Sequence, residues 1–259
     1  MILLKSREEI ELIRNSSLLI GRTLAEIGKF IKPGVTTAFL DKIGEQFIRD
    51  NGATPVFKGY DGFPSSFCIS INDEIVHGFP SDERFLEDGD IVSIDGGANL
   101  NGFISDSAYT FVVGEVKPEV AKLLKVTKEA LYLGIEKCVE GNRVGDIGYA
   151  IQTHVEKNGF SVVREMCGHG VGIRLHEDPN ICNYGRPGTG PLLKAGMVFA
   201  IEPMVNIGSR NIKFINDGWT PITKDGKVSA HFEHDVAVGK EKSDLLSSFE
   251  EIEKIINTK

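Results

Sequence analysis

The segment at residues 91–111 restricts the fold of this chain more than any other part of the sequence. It contains two β-rich runs around an Asn-Leu-Asn-Gly stretch at 99–102, and each run carries one aspartate, Asp95 or Asp106. This pattern predicts an antiparallel hairpin. If its turn is symmetric about the Leu100-Asn101 bond, the two aspartates lie directly opposite one another on one face.

Two carboxylates that face each other inside a folded domain repel strongly. At an effective dielectric constant of about 20 and a separation of about 4 Å, the repulsion is about 4 kcal/mol. A cation between Asp95 and Asp106 would remove this cost, and we therefore predict one there. The alternative is a solvated hairpin face with both carboxylates in water, which is where most acidic residues lie.

An internal repeat supports the cation. Residues 85–95 align without a gap with residues 192–202, so that glycine matches glycine and Asp95 matches Glu202. Such a repeat indicates two related halves, each delivering a carboxylate from the end of a buried strand to a shared centre. A match of this length can also arise by chance. We predict one domain over residues 1–259, with halves of roughly 1–115 and 116–259.

Composition and charge narrow the class of partner. The chain of 259 residues is 41% hydrophobic, which suffices for a substantial core. Its net charge of −8 disfavours nucleic acid and anionic membranes as partners, and favours small molecules or peptides. Early charged residues and the lack of an apolar run of about 18 residues predict no signal peptide, no membrane span and a cytoplasmic protein. Four scattered cysteines favour reduced thiols.

Hydrophobic periodicity and end signals predict the other elements. A capping box at Ser6 and Glu9 predicts a first helix that stops before Pro33. Further helices are predicted at 37–50, 117–140, 144–157 and 242–256. Further strands are predicted at 67–71, at 160–163 and at 230–238. Another is predicted in the apolar run that leads into Glu202.

Five side chains on or beside these strands and tight loops are candidate metal ligands. They are Asp95, Asp106, His169, Glu202 and Glu233. Four carboxylates and one imidazole suit manganese, iron(II), cobalt or zinc in a paired site better than a thiolate-type structural zinc. Two cations about 3.5–4 Å apart would cancel most of the negative charge. We interpret the glycines on both sides of His169 as allowing close approach of the backbone to a metal or substrate.

Several short motifs together resemble the type I methionine aminopeptidases, metallopeptidases of the pita-bread fold, over nearly the whole chain. Besides the two aspartates, these are CISIN at 68–72, VHG at 76–78, GHGVG at 168–172, HEDP at 176–179, IEPM at 201–204 and FEH at 232–234. The resemblance implies an α/β (α+β) fold of two pseudo-symmetric halves, in which helices cover a curved antiparallel sheet.

The resemblance also implies roles for the metal ligands. Asp95 would bind one metal, Asp106 and Glu233 would bridge both, and His169 and Glu202 would bind the other. A water or hydroxide between the metals, its pKa lowered from 15.7 to about 7, would attack the first peptide carbonyl. Glu202 would also help to manage its proton.

Further residues would serve the substrate. By the same resemblance, His176 would hydrogen-bond the scissile carbonyl, and His77 would contact the substrate backbone or help to protonate the leaving amine. The methionine pocket would be lined by Tyr60, Phe63, Cys68, His77 and Trp219. Aromatic faces and a soft sulfur suit an unbranched thioether, but discrimination of about 1–3 kcal/mol per methylene should reject norleucine-like side chains poorly.

The implied activity is removal of the N-terminal methionine from peptides and nascent proteins, near the ribosome and by a monomer, with two divalent ions (Co, Mn, Fe(II) or Zn). Three positions depart from the family pattern. Gly97 stands where relatives often carry threonine, Ile104 where histidine is common, and His231 where glutamine is usual. We expect His231 to change the surroundings of the ligands and to influence metal preference without removing a ligand.

Three alternatives remain. Proline-specific peptidases of the same fold share the five ligands, but usually carry an extra N-terminal domain for which there is no room before Asp95, and tend to have Pro-Gly where Pro203-Met204 stands. Type II methionine aminopeptidases have a long insertion between the His169 and Glu202 positions, where the interval here is short. A metal-free binding protein on the same scaffold predicts the loss of a ligand, and the sequence retains all five.

Overall fold

The computed structural model describes residues 1–257 as a mixture of helices and antiparallel strands. The helices are α1 (Arg7–Gly28), α2 (Thr37–Asp50), α3 (Pro118–Ile135), α4 (Val144–Lys157) and α5 (Glu250–Ile256). The strands are β1 (Thr54–Pro55), β2 (Phe67–Ile71), β3 (Ile91–Leu100), β4 (Phe103–Val112), β5 (Ser161–Val162), β6 (Gly168–Gly170), β7 (Glu177–Ile181), β8 (Val198–Ile201), β9 (Met204–Asn206), β10 (Ile212–Phe214), β11 (Pro221–Thr223), β12 (Ser229–His231), β13 (His234–Ala237) and β14 (Asp244–Leu245).

Helices α1 and α2 begin where side chains cap them. The Ser6 hydroxyl accepts a hydrogen bond from the Glu9 backbone N–H, and the Glu9 carboxylate accepts one from the Ser6 N–H, which confirms the capping box. Helices α2 and α4 have the predicted bounds, whereas α3 ends at Ile135, earlier than predicted. None of the helices within residues 1–257 combines the length and apolar character needed to cross a membrane.

The sheets are antiparallel and the helices pack against them. A four-stranded sheet has the order β1-β3-β2, with β4 on β3, and a five-stranded sheet has the order β14-β13-β8-β6-β7. Strands β12-β9-β5 form a third sheet and β10-β11 a fourth. Helix α1 packs on β3 and β4, while α3 packs on α4 and contacts β8, β9 and β12. Helices therefore cover antiparallel sheets, as predicted.

The hairpin of β3 and β4 has a register different from the predicted one. Leu100 pairs with Phe103, and the turn between them is formed by Asn101 and Gly102, both with positive φ (56° and 87°). Such a two-residue turn matches the twist of paired strands. Asp106 therefore lies opposite Gly97 instead of Asp95. The prediction of direct opposition was wrong, but a shift of two residues keeps both aspartates on the same face.

The repeated segments have equivalent backbone contacts. The Gly89 N–H donates to the Val113 carbonyl, and the matching Gly196 N–H donates to the Val238 carbonyl. The two glycines have nearly the same φ, 92° and 94°. Glu202 directly follows β8 as predicted, although Asp95 lies inside β3 and not at its end. The division into two halves stays a prediction that these contacts support; residues 258–259 lie outside the described residues.

The predicted strand at 230–238 is two strands in different sheets. Strand β12 pairs with β9, and β13 pairs with β8. Between them the Glu233 N–H donates instead to the carbonyl of Ala108 in β4. A contact with a third strand therefore breaks the pairing, and local strand propensity could not reveal it.

The predicted helix at 242–256 was wrong in its first part. Strand β14 occupies Asp244–Leu245 and pairs with the edge of β13, and the helix begins only at Glu250. The Ser247 hydroxyl accepts a hydrogen bond from the Asp235 N–H and lies 2.6 Å from Nδ1 of His234. These tertiary hydrogen bonds compete with helix formation before residue 250.

Candidate metal centre

The residues predicted for the site line one cavity of about 200 Å³. They are Tyr60, Phe63, Cys68, His77, Asp95, Asp106, His169, His176, Glu202, Trp219 and Glu233. Phe57, Asp61 and Leu175 also line it and were not selected from the sequence. Phe57 and Asp61 belong to a loop rich in aromatics and glycine, FKGYDGFP at 57–64, and Leu175 precedes His176. Their positions beside selected residues were the available signal.

The five candidate ligands reach the cavity from separate strands. Asp95 and Asp106 lie in β3 and β4, His169 lies in β6, Glu202 follows β8, and Glu233 lies between β12 and β13. One suitable atom from each of Asp106, His169 and Glu233 lies within 4.8 Å of the others. The strands therefore supply a cluster with the donor types of a metal site.

The glycines beside His169 have a structural explanation that differs from the sequence interpretation. A Cβ on Gly168 would clash with the carbonyl oxygen of Ala200 in β8, and one on Gly170 with that of Asp178 in β7. The glycines thus make room for neighbouring strands on both sides of β6. Close packing of these strands positions the imidazole of His169.

The ring of His169 has its outer nitrogen directed at carboxylates. Its Nδ1 lies 2.9 Å from the carbonyl oxygen of Gly170, to which it can only donate. Its Nε2 then carries a lone pair, 3.7 Å from Asp106 Oδ2 and 3.6 Å from Glu202 Oε1. A lone pair facing two carboxylate oxygens is unfavourable without a cation, and this is the tautomer that binds metals.

The carboxylates themselves are buried and incompletely paired. Asp95, Asp106 and Glu233 are 9%, 3% and 2% exposed. Among the residues that the structure describes, Oδ1 of Asp95 and Oδ1 of Asp106 have no hydrogen-bond partner. Buried acceptors without partners are costly. These oxygens therefore fit a bound cation.

Burial raises the pKa of every carboxyl in the cluster. It raises the pKa of Asp95 to about 7. It also raises the pKa values of Asp106, Glu202 and Glu233 well above their usual range, and negative neighbours add to the effect. Without a cation the cluster retains protons, and a divalent ion can replace them with positive charge. The donor set thus fits divalent metal ions.

The histidines around the cluster are neutral near pH 7. Burial, followed by the proximity of His176, lowers the pKa of His169 to about 3 and that of His77 to about 4. Burial also lowers the pKa of His176. Neutral imidazoles can bind a metal or hydrogen-bond a substrate without adding charge.

Metal-free protein is expected to become less stable as pH rises above about 6.5. In that range the unfolded chain has lost the protons of these carboxyls, whereas burial holds the pKa values of folded Asp106, Glu202 and Glu233 well above their usual range, so the folded chain binds more protons. The free energy of unfolding therefore falls with pH, by up to about 1.4 kcal/mol per pH unit per extra proton bound. Below about 6.5 the buried histidines have the opposite effect, because they bind fewer protons when folded.

Denaturant unfolding with a chelator at pH 6.5 and pH 8.5 measures this fall. Added divalent metal should remove most of it, since the ion takes the place of the protons. A metal-free stability that stays level or rises between these pH values would contradict the charge assignment.

An aromatic pocket adjoins the acidic cluster. The ring of Phe63 lies edge-on to Trp219 at 5.3 Å and to Phe57 at 6.4 Å, and Cys68 is buried beside them. Edge-to-face aromatic packing of this kind forms a rigid apolar wall. The pocket can therefore hold an apolar side chain next to the acidic groups.

Two histidines lie where the cluster and the aromatic pocket meet. His176 Nδ1 is 2.8 Å from the Tyr60 hydroxyl, and its ring centroid is 4.3 Å from that of His169. His77 has a φ of 58°, in the left-handed region, and its ring lies 6.1 Å from Trp219. Such a backbone conformation is uncommon for a residue other than glycine and clusters at functional sites.

The three departures from the family pattern occupy different environments. Gly97 pairs with Asp106, and a Cβ there would press on Val56 and on the Ser105 carbonyl. The Ile104 N–H donates to the carbonyl of Gly172, 2.6 Å away. His231 is buried, and its Nε2 lies 3.5 Å from Glu202 Oε2. Of the three, His231 thus places a polar side-chain atom beside the side chain of a candidate ligand.

Known proteins similar to this chain are peptidases. A model of the family described as "Metallopeptidase family M24" matches residues 11–240. The methionine aminopeptidase of Clostridium perfringens is 54% identical over 238 residues, which cover 92% of this chain and 95% of that protein. Methionine aminopeptidase 1 of Bacillus subtilis is 52% identical over 247 residues, covering 95% of this chain and 99% of that protein.

The fold of this chain is also that of solved methionine aminopeptidase structures. The crystal structure of methionine aminopeptidase from Rickettsia prowazekii matches with a TM-score of 0.94 and 41% identity, and covers 96% of this chain and 100% of that chain. This match confirms the predicted α/β pita-bread fold. The chain therefore belongs to metallopeptidase family M24 and, within it, to the methionine aminopeptidases.

Proposed function

We propose that this protein removes the N-terminal methionine from peptides and nascent polypeptides by hydrolysing the first peptide bond. The observation that carries the proposal is the direct contact between a buried acidic cluster and an apolar aromatic pocket in one cavity. The pocket accepts one apolar side chain, and the acidic groups attract the free α-amine beside it. The names of the relatives support the same activity.

Membership of the family implies divalent metal ions, and we infer that the cluster binds two of them. Asp95 would hold one ion, Asp106 and Glu233 both, and His169 and Glu202 the other, with cobalt, manganese, iron(II) or zinc as candidates. When bound, such ions lower the pKa of a water and cancel the charge of the carboxylates. The orphaned oxygens of Asp95 and Asp106 support this assignment.

The side chains of the protein would then manage the proton and the substrate. The Glu202 carboxylate accepts a proton from the attacking water and returns it to the leaving amine. If the Tyr60 hydroxyl donates to Nδ1 of His176, Nε2 of His176 carries a proton that can be donated to the scissile carbonyl oxygen. That hydrogen bond strengthens as negative charge develops on the oxygen.

His77 serves the substrate backbone better than it serves the leaving amine. Burial lowers its pKa to about 4, so little of it is protonated near pH 7. A neutral imidazole is a poor acid there but a good hydrogen-bond partner for a peptide group. Of its two predicted roles, we therefore favour contact with the substrate backbone.

Methionine release from Met-Ala-Ser by metal-loaded protein, abolished by a chelator, is the expected result. Free amino acid is assayed by chromatography, with Ala-Pro-Ala as the matched peptide for a proline-specific peptidase. Release from Ala-Pro-Ala alone would favour that rival, and release from neither peptide would favour a binding protein. Norleucine-Ala-Ser should be cleaved at a rate within about 10–100-fold of the methionine peptide, because apolar contacts discriminate weakly.

The setting of the reaction follows from its substrate. Nascent chains carry the initiating methionine, so we infer action in the cytoplasm on chains that emerge from the ribosome. The four scattered cysteines, without a CxxC pair, suit a reducing compartment. All the site residues come from one chain. A monomer can therefore carry the reaction.

A further inference from the structure

His231 is a buried histidine whose backbone is fully paired. It ends β12, is 1% exposed and pairs with Met204 across the sheet. Its N–H donates to the Thr110 hydroxyl at 3.0 Å, and its carbonyl accepts a hydrogen bond from the same hydroxyl at 2.6 Å. Thr110 thus fixes the position of the His231 backbone from the neighbouring strand β4.

The ring nitrogens of His231, by contrast, are unpaired in the part of the chain that the structure describes. Within residues 1–257, neither Nδ1 nor Nε2 makes a hydrogen bond. Burying both nitrogens in this way costs free energy, and such exceptions among buried polar groups call for an explanation. Oε2 of Glu202 lies 3.5 Å from Nε2 of His231.

Glu202 lies between two imidazoles. Its Oε1 is 3.6 Å from His169 Nε2, and its Oε2 is 3.5 Å from His231 Nε2. One carboxylate oxygen therefore lies beside the candidate ligand His169, and the other lies beside His231. A group that holds the second oxygen controls the direction of the first, because the carboxylate is planar.

We propose that His231 is a positioning residue, which donates its Nε2–H to Oε2 of Glu202 and thereby directs Oε1 towards a metal ion. The inference rests on the proposed metal site and adds a residue to it. A carboxylate only accepts hydrogen bonds, so the Nε2–H tautomer of a neutral imidazole is the complementary partner. The present separation exceeds the usual 2.9–3.0 Å of an N–H···O bond. A side-chain movement of about half an ångström would close it.

This role predicts which substitutions are tolerated. The amide nitrogen of glutamine occupies about the same place as Nε2 of histidine, so His231→Gln retains a donor for Glu202. The amide of asparagine is shorter by one methylene and lies nearer the place of Nδ1, so His231→Asn stays polar but cannot reach. His231→Leu removes the donor. Comparison of the three variants distinguishes the effect of the hydrogen bond to Glu202 from the effects of a buried or a polar side chain at position 231.

Manganese(II) affinity of the metal-free protein, measured by isothermal titration calorimetry, tests the inference. Loss of a residue that hydrogen-bonds a metal ligand typically weakens metal affinity by about 10–100-fold. His231→Leu and His231→Asn should weaken binding by about that factor, and His231→Gln should stay within roughly threefold of the wild type. Substitution with cobalt(II) should show a changed visible absorption band in the first two variants only.

Equal affinity in all four proteins would overturn the inference, as would His231→Gln binding as weakly as His231→Asn. The unfolding midpoint of each metal-free variant identifies any that misfolds. If His231→Leu does not fold, the Gln and Asn pair alone decides. Metal affinity does not depend on turnover. Failure of the wild type to cleave Met-Ala-Ser would therefore refute the proposed function and leave this measurement intact.

Discussion

Glu233→Gln is expected to lower kcat/KM for Met-Ala-Ser by at least about 10³-fold. The amide removes one negative charge and one oxygen donor from a cluster in which Glu233 is proposed to contact both metal ions. Asp95→Asn should have the same direction of effect. Initial rates with saturating manganese measure the loss. Glu129→Gln is a matched control, because this half-exposed carboxylate pairs with His154 outside the cavity.

The same Glu233 variant should be more stable than the wild type when metal is absent. The wild-type carboxyl is 2% exposed and lies among other acids, which raise its pKa further after burial has done so. Above pH 7 the unfolded chain releases the Glu233 proton, so the folded wild type must either keep that proton or accept a buried charge, and a neutral amide of the same size avoids both costs. Denaturation at pH 8 with a chelator checks the gain. Wild-type turnover would remove Glu233 from the site, and a loss of metal-free stability would refute the destabilising effect of its buried carboxyl.

His176→Ala is expected to lower kcat by about 10²–10³-fold while KM changes much less. The ring is proposed to donate to the carbonyl oxygen as it gains charge, and the loss of one such donor typically costs this factor. Metal affinity should change little, because His176 is outside the proposed ligand set. Steady-state kinetics over a range of peptide concentrations separates kcat from KM.

Tyr60→Phe is the companion variant for His176. It removes the hydroxyl that lies 2.8 Å from Nδ1 but leaves the aromatic ring in the pocket wall. Its kcat should fall by a smaller factor than that of His176→Ala, since the donor itself remains. If His176→Ala instead raises KM with kcat unchanged, His176 binds the substrate and transition state equally. The proposed role of His176 in the reaction would then be wrong.

Much of the local structure could be predicted because short segments carry their own signals. The capping box at Ser6, the bounds of α2 and α4, and strand β2 follow from capping residues, periodicity and β-rich composition. The hairpin at 91–111 was also predicted, but its register was not. Asn101 and Gly102 form the turn, and a symmetric reading one bond earlier displaced the pairing by two residues.

The wrong predictions of secondary structure lie where a segment pairs with strands that are distant in the sequence. Residues 229–237 look like a single strand, but Glu233 contacts β4 and separates two sheets. Residues 244–245 pair with β13 although their apolar spacing also suits a helix. Strand pairing between distant segments is decided by packing, and a local pattern carries little information about it.

By itself the sequence determined the donor types, the capped helices and the family motifs, because these depend on residue identity and short spacing. The tertiary structure alone decided the distances and the burial. It placed Oε1 and Oε2 of Glu202 beside His169 and His231, and it raised the pKa of Asp95 to about 7. The physical reason is that a hydrogen bond or a desolvation cost depends on atoms brought together from remote strands, and their approach is set by the packing of the whole domain.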